Sequence, residues 1–183
     1  MTLKRSRNFW DQKDGSQAVH IELAFDLLCP WTYIMKHRLE RIAEAWESPL
    51  ALSLRGLEMN PGMPTRGMPR PIYDRARCGN SSLTKLDKQR LCEAGRALGL
   101  NIDYYKISSA PNTNAAHQLI HFAGNFGLRG VALERLLEAY FVEGRDIGRQ
   151  DVLISIGTSL GLPSEAVEGH LKAQGSRASV AEE

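Results

Sequence analysis

The segment FDLLCPWTY, residues 25–33, holds the residue with the clearest chemical potential. Cys29 follows an apolar run and precedes Pro30 and Trp31, and Thr32 stands where a second cysteine would complete C-x-x-C. Two thiols at that spacing cycle: one attacks a disulfide, and the other then releases the mixed disulfide. The hydroxyl of Thr32 is too weak an acid for the release step, although it can donate a hydrogen bond to the Cys29 sulfur. Single-thiol chemistry remains, unless folding brings Cys78 or Cys92 close. Asp26, three residues earlier, can relay protons or hydrogen-bond at a strand end, and a carboxylate there also opposes a thiolate. His117 and His121 in HQLIH share one helical face at ligand spacing. Gln118 occupies the place of the metalloprotease glutamate and no third ligand is evident, so no metal is expected. Arg66, Arg70, Arg75 and Arg77 read most simply as a solvated basic loop; the alternative is an anion site for a carboxylate-bearing substrate. The sequence contains no P-loop, dinucleotide glycine motif or Gly-x-Ser-x-Gly elbow.

These residues need elements to position them. From Val19 to Leu27 every odd position is apolar, the period of a strand. PWTYIMKHRLERIAEAW then repeats apolar residues near helical spacing, with Pro30 in the first turn, where its missing N–H costs nothing. Cys29 therefore lies at a helix start, where unpaired N–H groups and the positive dipole end favour a thiolate. Leu50, Leu52 and Leu54 alternate again, completing a parallel, right-handed βαβ unit. The stretch 58–71 is dense in glycine and proline and reads as a loop. Nothing after residue 57 has a convincing strand pattern. Helices are predicted near 83–98, 114–126, 130–143, 149–160 and 164–173, with Gly99, Gly127, Gly144 and Gly161 as C-terminal stops. Leu133, Leu136, Leu137, Tyr140 and Phe141 form the cleanest core stripe. Cys78 and Cys92 are most simply structural. Two strands alone do not make a self-sufficient sheet, so the expectation is that helices cover a minimal sheet or that part of the domain is missing.

Composition narrows the classes. The 183 residues suit one domain or a domain with a large insertion. A net charge of +2 implies neither a nucleic-acid nor a membrane partner. Residues 1–18 read as a flexible polar leader without the apolar centre of a secretory signal, and 176–183 as a flexible tail. Three irregularly spaced cysteines do not describe a disulfide framework, and the expectation is a cytoplasmic protein.

FDLLCPWTYIMKHRLE resembles the start of the FrnE-like branch of the DsbA family of thioredoxin-fold oxidoreductases, whose motif there is Cys-Pro-Trp-Cys. LEMNPGMP (57–64), EAGRALGL (93–100), APNTNAAHQLIHFAG (110–124) and EAYFVEGRDIG (138–148) resemble later stretches of the same family in the same order. The resemblance covers roughly residues 19–175. It implies an α/β fold: a thioredoxin-like βαβ portion, 19–72, and an all-helical insertion domain, 73–175, with the active site between them. It makes Cys29 the nucleophile, with Thr32 beside it and Pro30 and Trp31 as spacer. Asn60, Pro61, Asn112, Thr113 and His117 would line the substrate cleft. The family's C-terminal β-hairpin and helix have no evident counterpart before KAQGSRASVAEE, and a homodimer is one arrangement that would supply strands.

The function expected from the resemblance is a disulfide oxidoreductase or isomerase with one active-site thiol. It would act on a small disulfide or a protein disulfide through mixed disulfides, without a bound cofactor and with glutathione as candidate co-substrate. The alternatives are a glutathione-dependent isomerase or transferase of the 2-hydroxychromene-2-carboxylate isomerase or kappa type, and a truncated, catalytically inactive relative.

Overall fold

The structure is a computed structural model that describes Trp10 and residues 19–48, 50–78 and 85–173. β1 (Val19–Phe25) and β2 (Leu50–Gly56) pair in parallel, with Val19 opposite Leu50 and Phe25 opposite Gly56. Between them α1 (Pro30–Ala45) makes the crossover, so the predicted βαβ unit is present. On β2, Leu52 and Leu54 are buried while Ser53 and Arg55 face solvent, and Ala51 is buried on the opposite face. The strand predicted to reach Leu27 ends at Phe25. Asp26, Leu27 and Leu28 instead form a buried turn closed by the Cys29 N–H donating to the Asp26 carbonyl at 3.1 Å.

Trp10 corrects the expectation of a flexible leader at that position. It forms a parallel bridge to Leu52, which gives β2 a neighbour besides β1. Its ring is 3% exposed and its Nε1–H donates to Glu40 Oε1 at 2.7 Å. The ring packs where α5 has Gly130; a Cβ there would lie 2.6 Å from Trp10 Cδ1. The rest of the leader and the tail from 174 lie outside the described residues.

Two further expectations need correction. The basic stretch after Gly67 is not a loop: Arg70–Cys78 is a helix, α2. Short strands also follow residue 57, β3 (Met68–Pro69) pairing antiparallel with β4 (Ser109–Ala110). Two residues are too few to show a period. The pair nonetheless fixes the start of α2, whose Arg70 N–H donates to the Ser108 carbonyl at 2.9 Å. Gly67 makes this possible, with φ of 68° and a position where a Cβ would come within 2.6 Å of the Ala110 oxygen.

The remaining helices fall near their predicted places: α3 (Lys85–Arg96), α4 (Asn114–Gly124), α5 (Arg129–Phe141), α6 (Gln150–Ser159) and α7 (Ser164–Ala173). Gly99, Gly127, Gly144 and Gly161, the predicted stops, all have positive φ. The stripe Leu133, Leu136, Leu137, Tyr140 and Phe141 is buried, in a continuous core that includes Phe25, Leu52 and Tyr33. Lys36 ties α1 to α5: its buried ammonium pairs with Glu40 Oε1 at 2.7 Å and with Glu134 Oε2 at 2.8 Å. His37 Nε2 reaches the other Glu134 oxygen at 2.9 Å. Among the described residues, no helix is long and apolar enough to cross a membrane.

Candidate active site

Cys29 is the N-cap of α1, with extended backbone (φ −89°, ψ 110°), followed by Pro30. The buried turn of residues 26–28 delivers it there. Its carbonyl accepts the Thr32 N–H at 3.0 Å, and its thiol is free and half-buried. Cys29 lines a cavity of about 160 Å³, with Asp26, Leu28, Pro30, Trp31 and Met59 on the same side. Arg70, Tyr73, Asp74 and Arg77 of α2, with Leu91 of α3, line the other. The α2 residues are spaced i, i+3, i+4, i+7, so a single face of that helix forms the wall.

That wall is held by buried charge. Arg70, 4% exposed, donates through Nε to Asp74 Oδ1 at 2.8 Å and through Nη1 to the Tyr140 hydroxyl at 2.8 Å. Its Nη2 donates to the Tyr104 hydroxyl, which also bonds Asp74 Oδ1 at 3.1 Å. Burial opposes the charge on Arg70, but the Tyr140, Tyr104 and Asp74 oxygens outweigh it and the guanidinium is held protonated. Burial pushes the Tyr140 hydroxyl up to about 12, so it stays a neutral partner. Asp26 is 3% exposed and its oxygens accept the N–H groups of Leu28 at 2.7 Å and Met59 at 2.8 Å. Burial raises its pKa above the usual carboxylate value, against the pull of those N–H groups and of Arg77.

The predicted site residues divide. Cys29, Pro30 and Trp31 line the cavity, and Trp31 is 53% exposed at its mouth. Thr32 is buried; its hydroxyl oxygen accepts the Asp26 N–H at 3.4 Å, and the expected bond to the Cys29 sulfur is not present. Asn60 lines a neighbouring cavity of about 250 Å³ and donates to the Tyr73 hydroxyl at 2.8 Å. Pro61 is exposed and lines neither cavity. Asn112, Thr113 and His117 do not reach the Cys29 cavity because they serve the start of α4. Asn112 accepts the Asn114 N–H at 3.0 Å and donates to the Met63 carbonyl at 2.8 Å, fixing the 58–64 loop. Thr113 is the N-cap, its carbonyl accepting the His117 N–H at 2.9 Å. His117 stacks on Phe25 at 5.3 Å with a buried, unbonded Nε2, and burial lowers its pKa to about 4.

Sequence reasoning missed Met59, Tyr73 and Asp74, and placed Arg70 in solvent. A helical reading of 70–78 would have put the last three on one face. Cys92 is buried in α3, as its position suggested, and does not line the cavity. The Cys78 side chain lies outside the described residues. His37, Glu40 and Glu134 bring ligand-type atoms within 4.8 Å of one another, but Lys36 already supplies the cation between those carboxylates.

A parallel βαβ unit that presents a cysteine at the first turn of its crossover helix is a thioredoxin-like arrangement. Residues 20–183 match the DSBA-like thioredoxin domain, and the chain belongs to that family. The Bacillus subtilis (strain 168) uncharacterized protein YwbO is 23% identical over 154 residues, 84% of this chain and 72% of that protein. A probable DsbA oxidoreductase from Streptomyces coelicolor, SCO1869, superposes with a TM-score of 0.79 at 24% identity, covering 90% of this chain and 70% of the other. The cytosolic disulfide reductase DsbM from Pseudomonas aeruginosa, solved with GSH, gives 0.61 at 24% identity, covering 90% and 77%. At these identities the likeness shows the fold.

Proposed function

We propose that the chain is a thiol–disulfide oxidoreductase that works through one thiol, Cys29, in the cytoplasm. The observation that carries this is the half-buried free Cys29 lining a cavity to which neither Thr32, the residue in place of a second cysteine, nor Cys92 contributes. Cys29 attacks a disulfide, is held as a mixed disulfide, and is released when an external thiol attacks in turn. Glutathione is the natural candidate for that thiol, which DsbM, a fold relative, was solved with. The Thr32 hydroxyl, buried against the 26–28 turn and accepting the Asp26 N–H, is too weak an acid to take the place of the missing thiol.

The test is incubation with glutathione disulfide, followed by intact-mass and peptide-mass analysis. One glutathione adduct is expected, at Cys29, and absent from Cys29→Ser. An unmodified Cys29 with adducts only at Cys78 would overturn the proposal.

A further inference from the structure

Arg77 stands apart from the other charges at the Cys29 cavity. Arg70 is fully engaged by Asp74, Tyr104 and Tyr140. Asp74 is engaged in return by Arg70 and the Tyr104 hydroxyl, with Lys88 at 3.9 Å. Asp26 feels Arg77 electrostatically, but both its oxygens accept backbone N–H groups. Arg77 is exposed, and its hydrogen bond among the described residues is to the Met59 sulfur, at 3.4 Å. A thioether is a weak acceptor, so among the described residues most of the guanidinium fork has no hydrogen-bond partner. Arg66 and Arg75, also exposed, line neither cavity.

The position of Arg77 is as informative as its charge. Arg77 and Tyr73 line both cavities, the one at Cys29 and the larger one walled by Asn60, Gly62, Met63, Met68 and Ala76. A molecule with its sulfur at Cys29 and its body along α2 therefore passes the open guanidinium. A guanidinium fork binds a carboxylate through two parallel hydrogen bonds between opposite charges, whereas a neutral acceptor gains only a weaker bond.

We infer that Arg77 is the specificity-determining residue of this site, selecting small disulfides that carry a carboxylate near the reacting sulfur. This rests on the single-thiol reading of Cys29 and names its substrate class. In the step itself, the Cys29 thiolate attacks one sulfur of the substrate disulfide. The new sulfur–sulfur bond forms as the old one breaks, and the departing thiolate takes a proton from solvent. Cys29 is oxidised and the leaving half of the substrate is reduced. Arg77 touches no reacting atom; it holds the carboxylate of the half that becomes attached.

The experiment compares three disulfides of different charge: glutathione disulfide (anionic), hydroxyethyl disulfide (neutral) and cystamine (cationic). Adduct formation at Cys29 is followed by peptide mass mapping in wild type, Arg77→Gln and Arg77→Glu. Arg77→Gln is expected to slow glutathione disulfide about tenfold, the scale of a lost charged hydrogen bond, and to leave hydroxyethyl disulfide unchanged. Arg77→Glu should slow glutathione disulfide further and speed cystamine. Equal effects on all three disulfides, or none on any, overturn the inference. A second readout does not need a reactive cysteine: calorimetric binding of S-methylglutathione to Cys29→Ser protein. Binding that weakens about tenfold with Arg77→Gln supports the inference even if Cys29 reacts with no disulfide, an outcome that defeats the single-thiol reading alone. No binding, or binding indifferent to Arg77, overturns it.

Discussion

Replacing Arg70 by leucine tests what holds the cavity wall in place. Arg70 and Asp74 side chains are only 5% and 6% exposed, and their ion pair spans one turn of α2 at 2.8 Å. Leucine removes the cation and its three donated hydrogen bonds, leaving the Asp74 carboxylate and the Tyr140 hydroxyl without that partner. Breaking a buried pair from one side costs about 3–5 kcal/mol, most of it the burden of the remaining charge. Here the lower end applies, because Asp74 keeps the Tyr104 hydroxyl at 3.1 Å and Lys88 at 3.9 Å, and Tyr140 still donates to the Ser109 carbonyl at 2.8 Å. The expected loss is therefore about 3 kcal/mol. Removing both charges, with Arg70→Leu and Asp74→Leu together, should cost clearly less than Arg70→Leu alone, since no uncompensated charge then stays buried. Urea unfolding of wild type, the two single variants and the double variant completes the cycle. Hydrogen exchange across Arg70–Cys78 should quicken in Arg70→Leu, reporting a loosened α2. A single-variant loss below about 1 kcal/mol, or strictly additive losses, would refute the argument that a buried charge pair fixes this wall.

Other expectations follow from the same geometry. His117 has its pKa lowered from 6.5 to about 4 by burial, so the unfolded chain binds the proton first and stability drops as pH falls from 6.5 toward 4. His117→Leu, which also removes an unbonded buried nitrogen, should unfold like wild type or later at pH 7 and gain about 2 kcal/mol relative to it at pH 5; equal pH dependence in urea titrations would contradict this. Burial works against the Glu134 charge, but His37 and Lys36 prevail and lower its pKa from 4.5 to about 2. Its contribution is present above pH 4.5 and is lost as pH falls toward 2, so Glu134→Gln should be less stable near neutrality and show a shallower acid limb by circular dichroism. Thr32→Cys restores a C-x-x-C pair, and should form an internal disulfide with Cys29 and discharge a glutathione adduct without added thiol; an adduct as long-lived as in wild type would count against the missing second thiol as the cause.

Much of the fold was legible because it rests on local apolar period. β1, α1, β2 and the stripe through Leu133 and Phe141 each present one face to the core, and the glycine stops announce themselves through positive φ. α2 was hidden for a physical reason: it buries Arg70 and Asp74 and exposes Ile72, the reverse of the pattern that marks an amphipathic helix. With α2 unseen, Tyr73, Asp74 and Arg77 could not be assembled into a wall for Cys29. Trp10 was hidden because its partners, Leu52, Glu40 and Gly130, are remote in sequence. Cys29, Pro30 and Trp31 were found because strand end, cysteine and helix start are contiguous. Asn112, Thr113 and His117 were assigned to the cleft by resemblance, while their bonds show them capping and packing α4.

The lifetime of the Cys29 adduct distinguishes a protein with one working thiol from a protein with two. The glutathione mixed disulfide is prepared, freed of small thiols, and followed by mass spectrometry before and after glutathione is added. Single-thiol chemistry predicts that the adduct persists unchanged and discharges only once the external thiol arrives. Spontaneous discharge, with a disulfide appearing between Cys29 and Cys78 or Cys92, would show instead that the protein carries its own resolving thiol and is no single-thiol enzyme.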